Sequence, residues 1–303
     1  MNRRAFRVAL FVTTLGVAHV AASGQMGGLG IGRADADADA EPAGDELVAA
    51  SLIADVASVE PGGKFTVGVR LKVEPKWHVY WHNPGDAGQK IGVQWRLPDG
   101  YEVGPLRWPL PQRYDEPGGI TAFGYADEVV LLAEVRVPDD AEPGRTVPLA
   151  ADVDWLVCKA KCLPGEASID TTLTLGPRRA SEHAATLGQW AQRLPTSGFA
   201  QGVAKYQSHV ELGGAGHVTI HWNTAPKGRV QWFAHVVEGL GVQPGEMTTE
   251  GRHTRIAFST TAYVAASDLP RRLPLLVTWI DADGNRHGAT LEASLKHETP
   301  NDE

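Results

Sequence analysis

Cysteine is scarce in this 303-residue chain, occurring only at Cys158 and Cys162, so a single internal pairing is available and no thiol is left over. A zinc site is poorly served, because no second pair of ligands stands at a usual spacing. Basic residues are outnumbered, 28 Lys and Arg against 36 Asp and Glu, for a net charge of -8 and a pI near 5.8. Without a basic stripe there is no electrostatic footprint for nucleic acid, and that class of partner is set aside. Beyond the amino terminus no apolar run is long enough to cross a bilayer. No Ser/His/Asp set, phosphate loop or glycosidase-like pair of carboxylates stands out.

What is present begins with MNRRAFRVALFVTTLGVAHVAAS, which has basic residues Arg3, Arg4 and Arg7, an apolar stretch from Val8 to Ala18, and small residues Ala21, Ala22 and Ser23. This predicts a signal peptide over residues 1–23, with an apolar core shorter than the ~20 residues of a membrane span. The expectation is an exported, periplasmic protein with no membrane span once the signal is removed. Residues 24–45, glycine-rich and then alternating Ala and Asp, hold too few large apolar groups to pack and read as a disordered linker. Export also places the two cysteines where a disulfide can persist.

Beyond residue 45 the dominant apolar period is two. In Lys64–Val73, residues Phe65, Val67, Val69, Leu71 and Val73 share one face, as in a half-buried antiparallel strand. Similar alternation runs through Val129–Val137, Leu149–Val157 and Ile169–Leu175, with the turn-forming clusters LPDG, PDDAEPG and LPGE between them. The pattern predicts a β-sandwich over 46–177. It breaks at Gly176-Pro177. A helical connector is expected over 178–200, where Ala184, Leu187, Trp190, Ala191 and Leu194 form one stripe, Ser181 is the expected N-cap and Pro195 follows the end. Strand patterning resumes in VTIHW, RVQWFAHVV, TRIAFST and LPLLVTWI, with Asp283-Gly284 as a hairpin turn, giving a second sandwich over 201–298 and a disordered tail over 299–303. The fold class is mainly β: two immunoglobulin-like sandwiches joined by a single α-helix.

The cysteines lie in Trp155-Leu156-Val157-Cys158-Lys159-Ala160-Lys161-Cys162-Leu163-Pro164-Gly165. If Leu149, Ala151, Val153, Trp155 and Val157 face the core, alternation sends Leu156 and Cys158 to the opposite face. The three residues between the cysteines can close as a tight turn, so a bridge is sterically reasonable. Closing a loop of about five residues restricts the unfolded chain by only on the order of 2 kcal/mol. That small return favours a redox pair over a staple, with the structural hairpin disulfide as the alternative. Lys159 and Lys161 would favour a thiolate if they lie near it; otherwise they belong to a solvated turn.

These residues resemble a family. The stretch from about Val48 to Leu175 is similar to the amino-terminal periplasmic domain of the DsbD/ScsB thiol–disulfide interchange proteins, through VEPKWHVYW (73–81), WPLPQR (108–113), FGY (123–125) and WLVCKAKCLPG (155–165). The resemblance implies an immunoglobulin-like domain in which Cys158 and Cys162 exchange electrons, with Cys162 bonding the partner. It implies no metal or organic cofactor. It implies thioredoxin-like periplasmic partners and a separate membrane electron-transfer protein as donor, since neither a multi-helix membrane segment nor a thioredoxin-like segment lies within these residues. It also implies an aromatic cap over the redox pair from the segment 118–125, with Phe123 as first choice and Tyr125 as second, on a loop freed by Gly118, Gly119 and Gly124. The Cys-x-x-x-Cys spacing is that of the ScsB-like version; the DsbD domain spaces its cysteines further apart.

Other residues allow further readings. His78 and His82, four apart on a strand, would point to one side and offer a copper-binding patch; alternatively they sit at the rim while Trp77, Tyr80 and Trp81 pack a sandwich edge and Asn83–Asp86 turns the chain. Asp115, Glu116 or Asp154 could tune proton transfer during exchange, or be solvated loop carboxylates. Trp222, Trp232, Phe233 and Trp279 read as core of the second sandwich. Besides the redox module, a periplasmic binding or scaffold protein with a structural disulfide and a copper-handling accessory protein remain as alternatives.

Overall fold

A computed structural model describes residues 42–116 and 118–296. The expected signal peptide, most of the expected linker and the expected tail lie outside them. Of the linker, Gly44 is buried, and its carbonyl accepts a hydrogen bond from Trp155 Nε1 at 3.2 Å.

The first half is built from β1 (Val48–Ala54), β2 (Val56–Val59), β3 (Lys64–Val73), β4 (His78–Gly85), β5 (Gly92–Arg96), β6 (Glu102–Val103), β7 (Gln112–Glu116), β8 (Ile120–Ala126), β9 (Glu128–Arg136), β10 (Thr146–Cys158), β11 (Cys162–Leu175) and β12 (Arg179–Ala180). One sheet has the order β1-β3-β9-β6; the other runs β12-β2-β11-β10-β4-β8-β7, with β5 on β10. The alternating residues of β3 all face the core between them: Phe65, Val67, Val69, Leu71 and Val73 are buried. So are Leu149, Ala151, Val153, Trp155 and Val157 of β10.

The expected turn LPGE is instead strand. β11 runs from Cys162 without a break, pairing Leu156 with Pro164 and Trp155 with Gly165. Proline is accommodated because β11 meets its other neighbour, β2, only at Thr174 and Leu175. The turn is the three-residue Lys159-Ala160-Lys161, closed by the Lys159 amide donating to the Lys161 carbonyl at 3.1 Å.

α1 (Ala184–Ala191) buries Leu187 and Trp190. Gly68 in β3 admits it: a Cβ there would lie 2.5 Å from Leu187 Cδ2. Ser181 stands two residues ahead of the cap position, His183; its hydroxyl accepts from the His183 amide at 3.0 Å and donates to the Ala54 carbonyl, tying the helix entry to β1.

The second half comprises β13 (Thr196–Ser197), β14 (Ala204–Glu211), β15 (Ala215–Trp222), β16 (Lys227–Ala234), β17 (Leu240–Glu250), β18 (His253–Ala262), β19 (Arg272–Ile280) and β20 (Arg286–Lys296). Their order is β16-β19-β20-β14-β15-β18-β17, with β13 on β20, around a core that includes Val218, Ile220, Ile256, Leu275, Val277 and Leu291. The protein therefore has two sandwich-like sheet regions and, among the described residues, one α-helix.

The two regions share apolar contact. Phe233 of β16 and Leu276 of β19 belong to the first core. The Phe233 ring lies 4.9 Å from Phe123 and 5.9 Å from Trp81, edge-on to both. Asn83 Nδ2 donates to the Ala234 carbonyl at 2.7 Å, and the Arg286 guanidinium donates to the carbonyls of Leu110 and Pro111.

Candidate redox site

The long β10–β11 hairpin ends in a disulfide. Cys158 and Cys162 are direct cross-strand partners, bonded to each other, with Cα atoms 4.1 Å apart. The two cysteines differ in access: Cys158 is 1% exposed, whereas Cys162 is exposed. Alternation explains half of this, since Cys158 leaves the face opposite Val157. A second, small cluster explains the rest: Tyr80, Ala122 and Cys158 are buried together, with Tyr114 and Leu156 packed against them.

Tyr80 reaches the bridge. Its hydroxyl is 3.5 Å from Cys162 Sγ, and since a disulfide sulfur carries no hydrogen, the hydroxyl is the donor. Burial, and next the charge of Glu116, push the Tyr80 phenol up to about 12, so it stays protonated. Phe123 and Tyr125, expected as caps, take the other face of β8 from Ala122. Both are buried in the main core; Phe123 packs on Phe233, and the Tyr125 hydroxyl donates to the Pro109 carbonyl at 2.8 Å. The aromatic residue at the bridge is thus supplied by β4, next to β10. Gly124 sits mid-strand, where a Cβ would lie 2.0 Å from the Val79 carbonyl oxygen, so its small size serves strand pairing. Gly118 and Gly119, with φ of 86° and 79°, make the turn between β7 and β8.

His78 is buried at 5% exposure rather than placed at the rim. Its Nε2 lies 3.1 Å from Glu116 Oε1, and neither atom has another partner among the described residues. The ring stacks on Tyr114 at 4.4 Å and meets Tyr80 edge-on at 5.2 Å. Burial holds its pKa below the usual histidine value, with Glu116 acting in the opposite direction. His82 has different neighbours, Trp108 at 5.8 Å and His235 at 4.7 Å. Burial foremost, then the charges of His235 and Lys90, bring its pKa down to about 3. Among the described residues no three His, Cys, Asp or Glu converge as a metal-ligand set.

Lys159 and Lys161 are exposed at the hairpin tip, and Lys159 Nζ lies 6.0 Å from the Trp77 ring centroid. Asp115 pairs with Arg113 at 2.9 Å, and Asp154 accepts from Gln89 at 3.0 Å. Of the three carboxylates singled out in the sequence, Glu116 is the one that enters the buried group beside the bridge. Tyr114 was not anticipated there, nor was Tyr80 as the residue at the sulfur. The usable signal was their placement at period two, in β7 and β4, on strands whose pairing the sequence does not state.

Residues 45–174 match the family model described as thiol:disulfide interchange protein DsbD, N-terminal. This segment is a domain of DsbD amino-terminal type. With its Cys158–Cys162 bridge, the DsbD-type domain is a thiol–disulfide exchange module. The crystal structure of the N-terminal periplasmic domain of ScsB from Proteus mirabilis superposes with a TM-score of 0.61 at 17% identity, over 82% of this chain and 94% of that one. At that identity the match shows the fold, and its extent takes in more of the chain than the DsbD-type domain. BcpA, the major pilin subunit of Bacillus cereus, aligns over 81% of this chain and 67% of its own at 8% identity and a TM-score of 0.27, too low to carry an argument. Comparison with curated proteins gave no sequence match. No helix among the described residues is long and apolar enough to cross a membrane.

Proposed function

We propose that the chain is a periplasmic thiol–disulfide exchange protein that passes reducing equivalents through Cys158 and Cys162, between a separate membrane electron-transfer protein and thioredoxin-like partners. The unequal exposure of the two cysteines carries this reading. A partner thiolate attacks Cys162 Sγ, forms a mixed disulfide and expels the Cys158 sulfur, and the partner's second thiol then breaks that bond and leaves the pair reduced; in the opposite direction Cys162 attacks a partner disulfide, and Cys158 attacks Cys162 Sγ, closing the bridge and releasing the partner as a dithiol. Electrons and atoms balance between the two dithiols, so the step needs no cofactor. Tyr80 donates toward Cys162 and favours charge on it. The lysines at the tip add positive charge nearby.

A purely structural bridge gains little support from its position. It joins opposite residues at the end of a hairpin that the β10–β11 ladder already holds together, and closing so short a loop is worth only about 2 kcal/mol. The periplasmic compartment is supported by the basic, apolar and small-residue pattern of residues 1–23 and by the description of the ScsB domain.

The test is the reduction potential of the bridge, from equilibration with glutathione buffers and thiol trapping, with the rate of exchange toward a thioredoxin-like protein. The reading expects a potential above about -300 mV and rapid exchange. A lower potential with slow exchange identifies a staple and overturns it.

A further inference from the structure

Departure of Cys158 from the bridge is the costly half of the exchange. Cys158 is buried in one cluster with Tyr80 and Ala122, against which Tyr114 and Leu156 pack, and apolar surroundings disfavour a bare thiolate. A group able to give and take one proton at this sulfur would lower that cost.

The register between β4 and β10 supplies a candidate. His78 and Cys158 are direct antiparallel partners, and residues so paired send their side chains to the same face, with Cβ atoms about 4.5–5.5 Å apart. The imidazole stacks on Tyr114 and meets Tyr80 edge-on, with Nε2 3.1 Å from Glu116 Oε1. Nδ1 is then the nitrogen not engaged by Glu116. A nucleophile, a base and a carboxylate that orients the base are the parts of an activated-thiol arrangement. We propose that His78, oriented by Glu116, takes the proton of Cys158 when its thiol attacks and returns that proton when its sulfur leaves.

In the resolving step Cys158–SH attacks Cys162 Sγ of the mixed disulfide. The new Sγ–Sγ bond forms, the bond to the partner sulfur breaks, the partner leaves as thiolate, and the Cys158 proton passes to His78. In the opposite direction the partner thiolate attacks Cys162 Sγ, and imidazolium protonates the departing Cys158 sulfur. The groups facing His78 are Glu116 and Tyr114 from β7, Tyr80 from its own strand and Cys158 from β10; β8 contributes Ala126 as its register partner. Both phenols are pushed up to about 12, foremost by burial, so both stay protonated, and Glu116 is the one carboxyl group among these residues. Burial keeps the resting imidazole neutral and able to accept a proton, while the carboxylate stabilises the imidazolium once formed.

This rests on the exchange reading, and the experiment separates the two. The bridge of the full chain is reduced by dithiothreitol from pH 5 to 9, and each rate is divided by the dithiothreitol thiolate concentration. The wild-type rate per thiolate should climb as pH falls through the His78 pKa. His78→Gln should be flat and about 10-fold slower at pH 5. Glu116→Gln, which keeps the imidazole but removes its anion, should begin its climb at a lower pH. One flat profile for all three proteins, or a loss in His78→Gln by the same factor at every pH, overturns the proposal while leaving the exchange reading in place. A bridge that resists dithiothreitol in all three overturns both.

Discussion

The Tyr80 hydroxyl of β4 lies 3.5 Å from Sγ of Cys162, the first residue of β11, a contact that spans the intervening strand β10. Because the phenol stays protonated, it remains a donor to the sulfur when Cys162 becomes a thiolate. Tyr80→Phe should therefore raise the Cys162 thiol pKa by about one unit, the worth of a modest hydrogen bond to a charged group. The pH dependence of iodoacetamide alkylation in a Cys158→Ser background measures it; an unchanged midpoint shows that the contact has no electrostatic consequence.

Unequal exposure predicts unequal thiols. In Cys158→Ser the remaining Cys162 should alkylate at least ~10-fold faster than the Cys158 left in Cys162→Ser, and it should accumulate a mixed disulfide with glutathione. Equal rates in the folded variants would mean that the hairpin tip opens freely and that burial of Cys158 does not direct the attack.

Phe233 is 1% exposed and ties the second sandwich to Phe123 and Trp81. Phe233→Ala should cost about 3–5 kcal/mol in urea unfolding, as expected for removal of a large buried ring. A loss below ~1 kcal/mol would show that the contact between the two halves contributes little to stability.

Acid should loosen the same junction. His82 and His235 stand 4.7 Å apart, with pKa values brought down to about 3 and about 4, chiefly by burial. The unfolded imidazoles take up protons near 6.5, so between that pH and about 4 the unfolded chain binds more protons than the folded one. Their contribution to stability is complete above pH 6.5 and is lost as the pH falls. His235→Gln removes one such group and relieves His82 of its neighbour's charge. Urea midpoints at pH 7, 5.5 and 4.5 should fall less steeply for the variant; parallel curves contradict the assignment.

Much of the site could be anticipated from particular residues. The alternation Leu149, Ala151, Val153, Trp155, Val157 correctly sends Cys158 away from the main core, and two cysteines admit one bridge. The local signal failed where a side chain's surroundings come from a distant strand. The family resemblance made Phe123 the first choice for a cap, yet strand parity turns it inward to Phe233, a residue 110 positions later. LPGE looked like a turn because Pro and Gly usually break strands, but proline costs no ladder bond on a stretch with no second neighbour.

The sequence by itself determined the period-two strands, the helical stripe around Leu187 and Trp190, and the single possible cysteine pairing. Each depends on spacing along one stretch of chain, which sterics and burial convert directly into a face or a turn. Tertiary structure alone decided that Cys158 is covered while Cys162 is open, that Tyr80 reaches the sulfur, and that His78 meets Glu116 across a sheet. Those relations depend on which strands pair and in what register, and register is set by the packing of both faces at once.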